Sequence, residues 1–475
     1  MANPHSMTAM IDRLQRYNRR YWALPFGLRL GIVAWLVLVI GISVRLFTSS
    51  PRSHTVYPIY RCAALALSDQ SDTYASVPPL DIYRYSPVTS FMLWPTITLS
   101  ERTGEYVWRL FSALICAYSI FRAVQHGTTF PLTVSQKGYV FACSTPFLLA
   151  SLNNGQLNIL LLAFLLLGTS SIVNRAMKSA AFWLALATFC KIYPGIIGLI
   201  FALKWPRSFG LSYCLFLVAG LLCPFLFFPA DYLNQQFQEW LSLVVKDNRH
   251  LNDLPRTTRD FHYLLRLYLS TPNEAVYSII QFATLLFLIF QTIRFLHPLN
   301  YSPNVRRERL EPRAQSLIRP EFTVLYWGLL WILLFGPAAE SCTYSLIGPS
   351  LSLLLLIPFT KIHRSGFFSA ATSSQSSLKN PGNFLGFIKQ LHQSDWFLFI
   401  GSVFILLPVV GMAFPFGKMI EMMGFQPIGL VFLFVGEGVF LCSNYLTNKN
   451  AIFIRHAVPS MKRHQHRSEF REYQS

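Results

Sequence analysis

Residues 151–203 read SLNNGQLNILLLAFLLLGTSSIVNRAMKSAAFWLALATFCKIYPGIIGLIFAL. Beyond Asn158 the first run is apolar on every helical face and carries no charge as far as Val173. A helix of that kind is buried on all sides, in a large core or in a membrane. Arg175 and Lys178 close it. A second apolar run, 179–203, is broken in its middle by Lys191-Ile192-Tyr193-Pro194-Gly195. Such runs recur along the chain from Leu28 to Leu446, and runs of about 20 apolar residues mark helices that cross a bilayer. The chain has 475 residues, 53% hydrophobic and 13% charged, where a soluble domain holds about 25% charged residues. The expected fold is therefore an all-α, polytopic membrane protein.

Expected spans are 28–48, 105–121, 138–151, 157–173, 179–203, 208–228, 275–296, 321–336, 345–360, 394–414 and 425–445. Residues 88–99 are apolar but too short for an untilted span and contain Pro95, so they read either as a span or as a re-entrant dip or half-helix. A broken backbone such as 191–195 is tolerated at membrane depth only against protein or a water-filled cavity. The organisation expected is a cytoplasmic N-terminal segment (1–27), a membrane domain (28–446) and a basic cytoplasmic tail (447–475). The first apolar run is followed by Arg45, Phe47 and Ser49, not by a small-residue cleavage pattern, and reads as a retained span.

The formal charge is +19. In a membrane protein this reads as the bias that holds cytoplasmic loops inside, not as a nucleic-acid surface. With the N-terminus inside, 27 of the 40 basic residues fall in inside segments, against 7 of the 21 acids. Both termini are thus expected in the cytoplasm of a plasma (inner) membrane protein, with 49–104 outside. The linkers 297–320 and 361–393 read as solvated connectors. Cysteines introduced at Ser71 and Ser374 test the orientation: an impermeant thiol reagent should label the first in intact cells and leave the second. The reverse pattern would discard the assignment of faces.

In that orientation the unusual polar residues gather outside. The first outer loop carries His54, Tyr57, Tyr60, Arg61 and a short amphipathic helix around Ala63-Ala64-Leu65-Ala66-Leu67, then Asp81-Ile-Tyr83-Arg84-Tyr85-Ser86-Pro87. These residues read either as a polar-ligand surface of rings and charges or as an interfacial aromatic belt with snorkelling arginines. Asn154-Gly155-Gln156-Leu157-Asn158 is either a ligand-facing amide cluster or a plain helix–helix turn. Lys191 in an apolar helix needs an anion unless it snorkels. The loop 229–274 carries Trp240, Arg249, Arg256 and Arg259, either phosphate-gripping or merely solvated. Glu340-Ser341-Cys342-Thr343 sits at a span mouth, as site or as helix cap. The eight cysteines (Cys62, Cys116, Cys143, Cys190, Cys214, Cys223, Cys342, Cys442) are scattered and lack metal-ligand spacing. Neither a Walker motif nor GxGxxG occurs.

The order of these pieces resembles the family 87 glycosyltransferases of the GT-C superfamily. The pieces are the long outer loop with Tyr60-x-x-Ala63-Ala64, Tyr83-Arg84-Tyr85-Ser86-Pro87 leading to Trp94-Pro95, Asn154-Gly155-Gln156-Leu157-Asn158, Lys191-x-Tyr193-Pro194, the Tyr232-to-Trp240 stretch, and Pro337-x-x-Glu340-Ser341. The resemblance implies a GT-C-like bundle of roughly 10–12 transmembrane helices. It implies transfer of a sugar, a hexose such as mannose, from a polyprenyl-phosphate-linked donor to an extracytoplasmic lipid or glycan acceptor of the cell envelope. It implies no metal and no cofactor; membrane lipids are the further partners, and no nucleic acid. The donor phosphate would meet Lys191 and Arg249, Arg256 or Arg259, while Asn154, Gln156 and Asn158 hold sugar hydroxyls. Tyr57, Tyr60, Arg61, Tyr83, Arg84, Tyr85, Tyr193 and Ser341 complete the expected binding set. The family carries an acidic base ahead of the Tyr/Ala-Ala helix. Here that place reads Ser53-His54-Thr55-Val56-Tyr57, so the base is sought among Asp81, His54 and Glu340, with Asp81 placed first. The rival class is a multispan transporter or lipid-linked-sugar flippase. It needs polar groups near the midplane, where Glu437 is the one acid placed deep in an expected span.

Overall fold

The computed structural model describes residues 23–50, 52, 55–246, 249–254, 257–296, 318–336, 339–364, 393–411 and 417–437. Helix α1 (Phe26–Thr48) is followed by the short α2 (Tyr57–Ser68) and α3 (Pro87–Leu93). Then come α4 (Glu101–His126), α5 (Val134–Asn153), α6 (Asn158–Val173), α7 (Met177–Cys190), α8 (Gly195–Lys204) and α9 (Leu211–Leu222). After these run α10 (Ala230–Lys246), α11 (Phe261–Tyr268), α12 (Glu274–Leu296), α13 (Pro320–Phe335), α14 (Gly348–Arg364) and α15 (Gln393–Gly411). The last are α16 (Gly417–Met422) and the helix Phe425–Glu437, α17. Among the described residues no strand occurs beyond one isolated bridge, Thr128 to Ile318.

Four helices are long and apolar enough to cross a membrane: Phe26–Thr48, Glu101–His126, Pro206–Leu226 and Glu274–Leu296. Seven shorter apolar helices accompany them, among them Asn158–Val173, Met177–Cys190 and Pro320–Phe335. The protein is thus a multi-pass membrane protein of helical class. The outer faces of α1 and α12 expose Val37, Ile40, Val44, Ile279, Phe282 and Phe290, as lipid contact requires.

Helix α6 sits at the centre. Every residue from Asn158 to Ser170 is buried, which accounts for a run apolar all round yet too short for an exposed span: at 1.5 Å per residue its 16 residues reach about 24 Å. It packs against α4 and α7. Helix α13 is buried along nearly its whole length and packs on α6, α8 and α12. Helix α1 lies along α5, and a Cβ at Gly138 would fall on the Gly27 carbonyl, so small residues set this approach.

Two expected breaks appear. Residues 88–99 form α3 and a 3-10 turn, Trp94–Thr98, too short to span. The expected span 179–203 divides into α7 and α8 at Lys191–Pro194. The loop 229–274, read as an extended charged loop, instead contains α10, whose apolar side meets α3 and whose Gln236 Oε1 accepts from the Thr73 backbone N–H at 2.9 Å. The linkers 297–317 and 365–392 and the tail lie outside the described residues, as do His54, Arg256 and Cys442.

Candidate active site

One end of the bundle gathers the C-termini of α1, α5, α7 and α13 with the N-termini of α4, α6 and α12. Its centre is Glu340, which N-caps the 3-10 turn Ser341–Ile347 in a reciprocal capping box with Thr343. Arg249 Nη1 donates to Glu340 Oε1 at 2.5 Å, and Gln156 Nε2 donates to Glu340 Oε2 at 3.3 Å. Asn158 Nδ2 in turn donates to Gln156 Oε1 at 2.5 Å. Lys191 and the hydroxyls of Tyr85 and Tyr193 lie within electrostatic reach of the same carboxylate. The Lys191 ammonium stands 5.6 Å from the centre of the Tyr193 ring.

Local chemistry fixes each member. Gly155 takes φ +63°, a left-handed conformation that lets α5 turn into α6 within a few residues. Trp108 Nε1 donates to the Gly155 carbonyl at 2.8 Å, and the Val56 N–H donates to the Asn154 carbonyl at 3.0 Å. The Leu157 N–H at the start of α6 finds Tyr60 Oη at 3.2 Å. Gly155→Ala is expected to cost about 1–2 kcal/mol from the left-handed backbone, read as a lower thermal midpoint in detergent; an unchanged midpoint would show that the turn relaxes. On the other flank, Thr89 Oγ1 of α3 donates to the Phe189 carbonyl at 2.6 Å, tying off the end of α7 where Lys191 begins. The loop behind Glu340 is zipped to residues 257–260: the Arg259 N–H donates to the Ala339 carbonyl at 2.5 Å and Tyr344 Oη to the Arg259 carbonyl at 2.6 Å.

The electrostatics are those of a carboxylate among cations. The surrounding protein pushes the Glu340 carboxyl up, but Arg249 and Lys191 outweigh this and hold it below the ordinary carboxylate range. Partial burial likewise raises Asp81, and the hydrogen bond and charge of Arg84 more than reverse it. Asp260, fully buried as the N-cap of α11, is pushed up to about 6 by burial. Around Glu340 three buried polar atoms have no hydrogen-bond partner: Arg249 Nε, Asn158 Oδ1 and Tyr193 Oη. Buried donors and acceptors left open in this way mark a place where a polar ligand fits.

The residues singled out from the sequence separate here. Gln156, Asn158, Lys191, Tyr193, Arg249, Glu340 and Tyr85 come together. Tyr60 supports them through its 3.2 Å contact with Tyr85 Oη. Asp81 lies at the margin, 59% exposed, paired with Arg84 at 2.7 Å and within the field of Arg249. Tyr57 and Tyr83 are buried in the core, and Arg61 reaches the Thr96 carbonyl at 3.4 Å. Asn154 donates to Cys342 Sγ at 3.2 Å. Arg259 lies under the site with its guanidinium 4.5 Å from the Tyr263 ring centre. Ser341 donates to Glu421, a residue that sequence reasoning had not connected with the site. Among the described residues no group of three His, Cys, Asp or Glu side chains could hold a metal ion.

This is the segment in which a family match falls. Residues 83–310 match glycosyltransferase family 87. The match takes in four of the six pieces on which the resemblance was drawn; Tyr60-x-x-Ala63-Ala64 and Pro337-x-x-Glu340-Ser341 lie outside it. The matched segment begins at Tyr83 and contains Gln156, Asn158, Lys191 and Arg249; Glu340 lies beyond its end. No curated protein matches the chain. Among solved structures, ArnT from Cupriavidus metallidurans bound to undecaprenyl phosphate is similar at 13% identity and TM-score 0.35, covering 85% of this chain and 77% of that one. The apo form of the same protein gives 14% identity and TM-score 0.33 over the same shares. At these scores the likeness is too loose to carry an inference about the site of this chain.

Proposed function

We propose that this protein is a membrane glycosyltransferase that moves a sugar from a polyprenyl-phosphate donor to an acceptor hydroxyl at the Glu340 end of the bundle. The family 87 match supports the transfer of a sugar. The observation that carries the site is the group Lys191, Arg249, Glu340 and Gln156, with unpartnered Arg249 Nε, Asn158 Oδ1 and Tyr193 Oη around it. Two cations suit a phosphate, and amide and phenol groups suit sugar hydroxyls.

In the reaction, the acceptor oxygen forms a bond to the anomeric carbon as the bond from that carbon to the donor phosphate breaks. The acceptor proton passes to a carboxylate, and the phosphate leaves on its lipid with its charge met by Lys191 and Arg249. Displacement from the face opposite the phosphate needs a base set apart from the phosphate-binding cations. Glu340 is bonded directly to Arg249, which suits it to orienting that cation. Asp81, apart from the Arg249 contact but within its field, suits the base. The donor sugar that fits the resemblance is a hexose of the mannose type, and the acceptor an extracytoplasmic lipid or glycan. The same reading places this end of the bundle outside the inner membrane and both termini inside.

Purified chain in proteoliposomes should transfer labelled hexose from polyprenyl-phosphate-hexose to an extractable acceptor. Movement of solute or lipid-linked sugar without formation of a glycosidic bond would establish the transporter reading instead.

A further inference from the structure

A second polar cavity lies on the other side of the Gly155 turn and shares none of the residues grouped around Glu340. It has a volume of about 320 Å³ and is lined by Arg45, Arg52, Arg102, Arg109, Glu101 and Glu105, with Asn153 beside them. An apolar groove of about 300 Å³ continues from it between α1 and α5, along Ala34, Leu38, Gly41 and Leu149. Arg45 and Asn153 line both.

The charges are unequal. Arg52 pairs with Glu101 at 2.8 Å and Arg109 with Glu105 at 2.5 Å. Arg102 donates to the Leu46, Phe47 and Ser49 carbonyls that end α1. Among the described residues Arg45 pairs with no carboxylate. Arg109 lines the cavity and is 7% exposed; its Nε, buried beside Gly155, has no hydrogen-bond partner. Four guanidiniums against two carboxylates leave an excess of positive charge at the head of an apolar groove.

The groove has the reach of one leaflet. From Ala34 to Arg45 α1 rises about 17 Å at 1.5 Å per residue, close to half of a hydrocarbon core of about 30 Å. Ala34 lies near the middle of α1. At Gly41 the groove is open, because a Cβ there would meet nothing within 4 Å. One acyl chain ending at the bilayer midplane fits this length, with a single phosphodiester at the arginines.

We propose that the cleft between α1, α4 and α5 binds an acidic glycerophospholipid, its phosphodiester on Arg45, Arg102 and Arg109 and one acyl chain along the groove. The site is independent of the transfer reaction and rests only on the membrane-embedded fold. Arg109 also stands against Gly155, where an added Cβ would meet its Nε at 3.4 Å, so the bound lipid would brace the turn that presents Gln156.

The full chain, purified and equilibrated in mixed micelles of equimolar phosphatidylglycerol and phosphatidylcholine, tests this by native mass spectrometry of the retained lipid. Wild type is expected to keep phosphatidylglycerol selectively. Arg45→Gln should weaken that retention about fivefold, as expected for one surface cation of about 1 kcal/mol. Gly41→Leu should fill the groove and abolish it, with thermal stability kept because leucine favours the helix. Equal retention of the two lipids would mean ordinary lipid contact and would overturn the proposal. So would undiminished phosphatidylglycerol in both variants, or its displacement by equimolar undecaprenyl phosphate, which would reassign the cleft to the carrier lipid.

Discussion

Asp81→Asn is expected to lower turnover by about 10²–10⁴-fold, the contribution of a positioned general base, while the protein inserts and folds normally. The reason for intact folding is local. Asp81 Oδ1 accepts the Ile82 N–H at 2.8 Å, and an amide oxygen serves as well. The lost ion pair with Arg84 is exposed on the Asp81 side, and exposed pairs contribute about 0–1 kcal/mol. The substitution therefore removes proton-accepting capacity with little change in structure. Initial rates with labelled polyprenyl-phosphate-hexose, beside a thermal melt, read the two effects separately. Retention of more than about a tenth of wild-type turnover would rule Asp81 out as the base, being outside the range for such a group. The pH profile gives a second reading. Arg84 holds the Asp81 carboxyl below the ordinary range, so the rate should fall only as pH drops through that depressed value and should be level across neutrality. A limb near pH 6–7 would point to His54, and His54→Gln and Glu340→Gln would be compared in the same assay.

Lys191→Met is expected to raise the apparent KM for the donor about 10–100-fold, the loss of one charge-assisted hydrogen bond of about 1.5–3 kcal/mol. Methionine keeps an unbranched side chain and removes the ammonium, including its approach to the Tyr193 ring. The backbone at Lys191 is held independently, its N–H donating to the Ala187 carbonyl at 3.2 Å, and the end of α7 is held by Thr89. A folded variant with wild-type donor dependence would remove Lys191 from the phosphate site and leave Arg249 as the remaining candidate. A variant that fails to insert would show instead that Lys191 serves the chain break itself, and arginine at the same position would then restore insertion without restoring donor affinity.

Much of this architecture was legible along the chain because its signals are local. Apolar runs marked the helices to within a few residues, from Phe26–Thr48 to Glu274–Leu296. Lys191-Ile-Tyr-Pro-Gly marked the break between α7 and α8, because proline and a charge both oppose continuation of an apolar helix. Gly155 among amides allowed either a turn or a ligand-facing cluster, and the structure has the turn with Gln156 and Asn158 beside Glu340. The charged stretch before α11 concealed α10, whose apolar side faces α3 and is broken up in sequence by Asp231, Gln235 and Glu239.

The partners inside the site were a different matter. Glu340 and Arg249 stand 91 residues apart, and Glu340 and Gln156 stand 184 apart. Arg249 and Arg259 are equivalent by residue type and loop, yet one reaches Glu340 and the other lies on Tyr263 beneath the loop. Ser341 finds Glu421, and Asn154 finds Cys342 rather than the open side of its turn. Hydropathy and chain breaks follow from each residue and its near neighbours, so the sequence by itself determined a helical membrane bundle with its polar residues at one end. Which cation meets which carboxylate depends on how α5, α6, α11 and the 339–347 turn converge, and burial then makes an unmatched choice costly; that pairing was decided only by the tertiary structure.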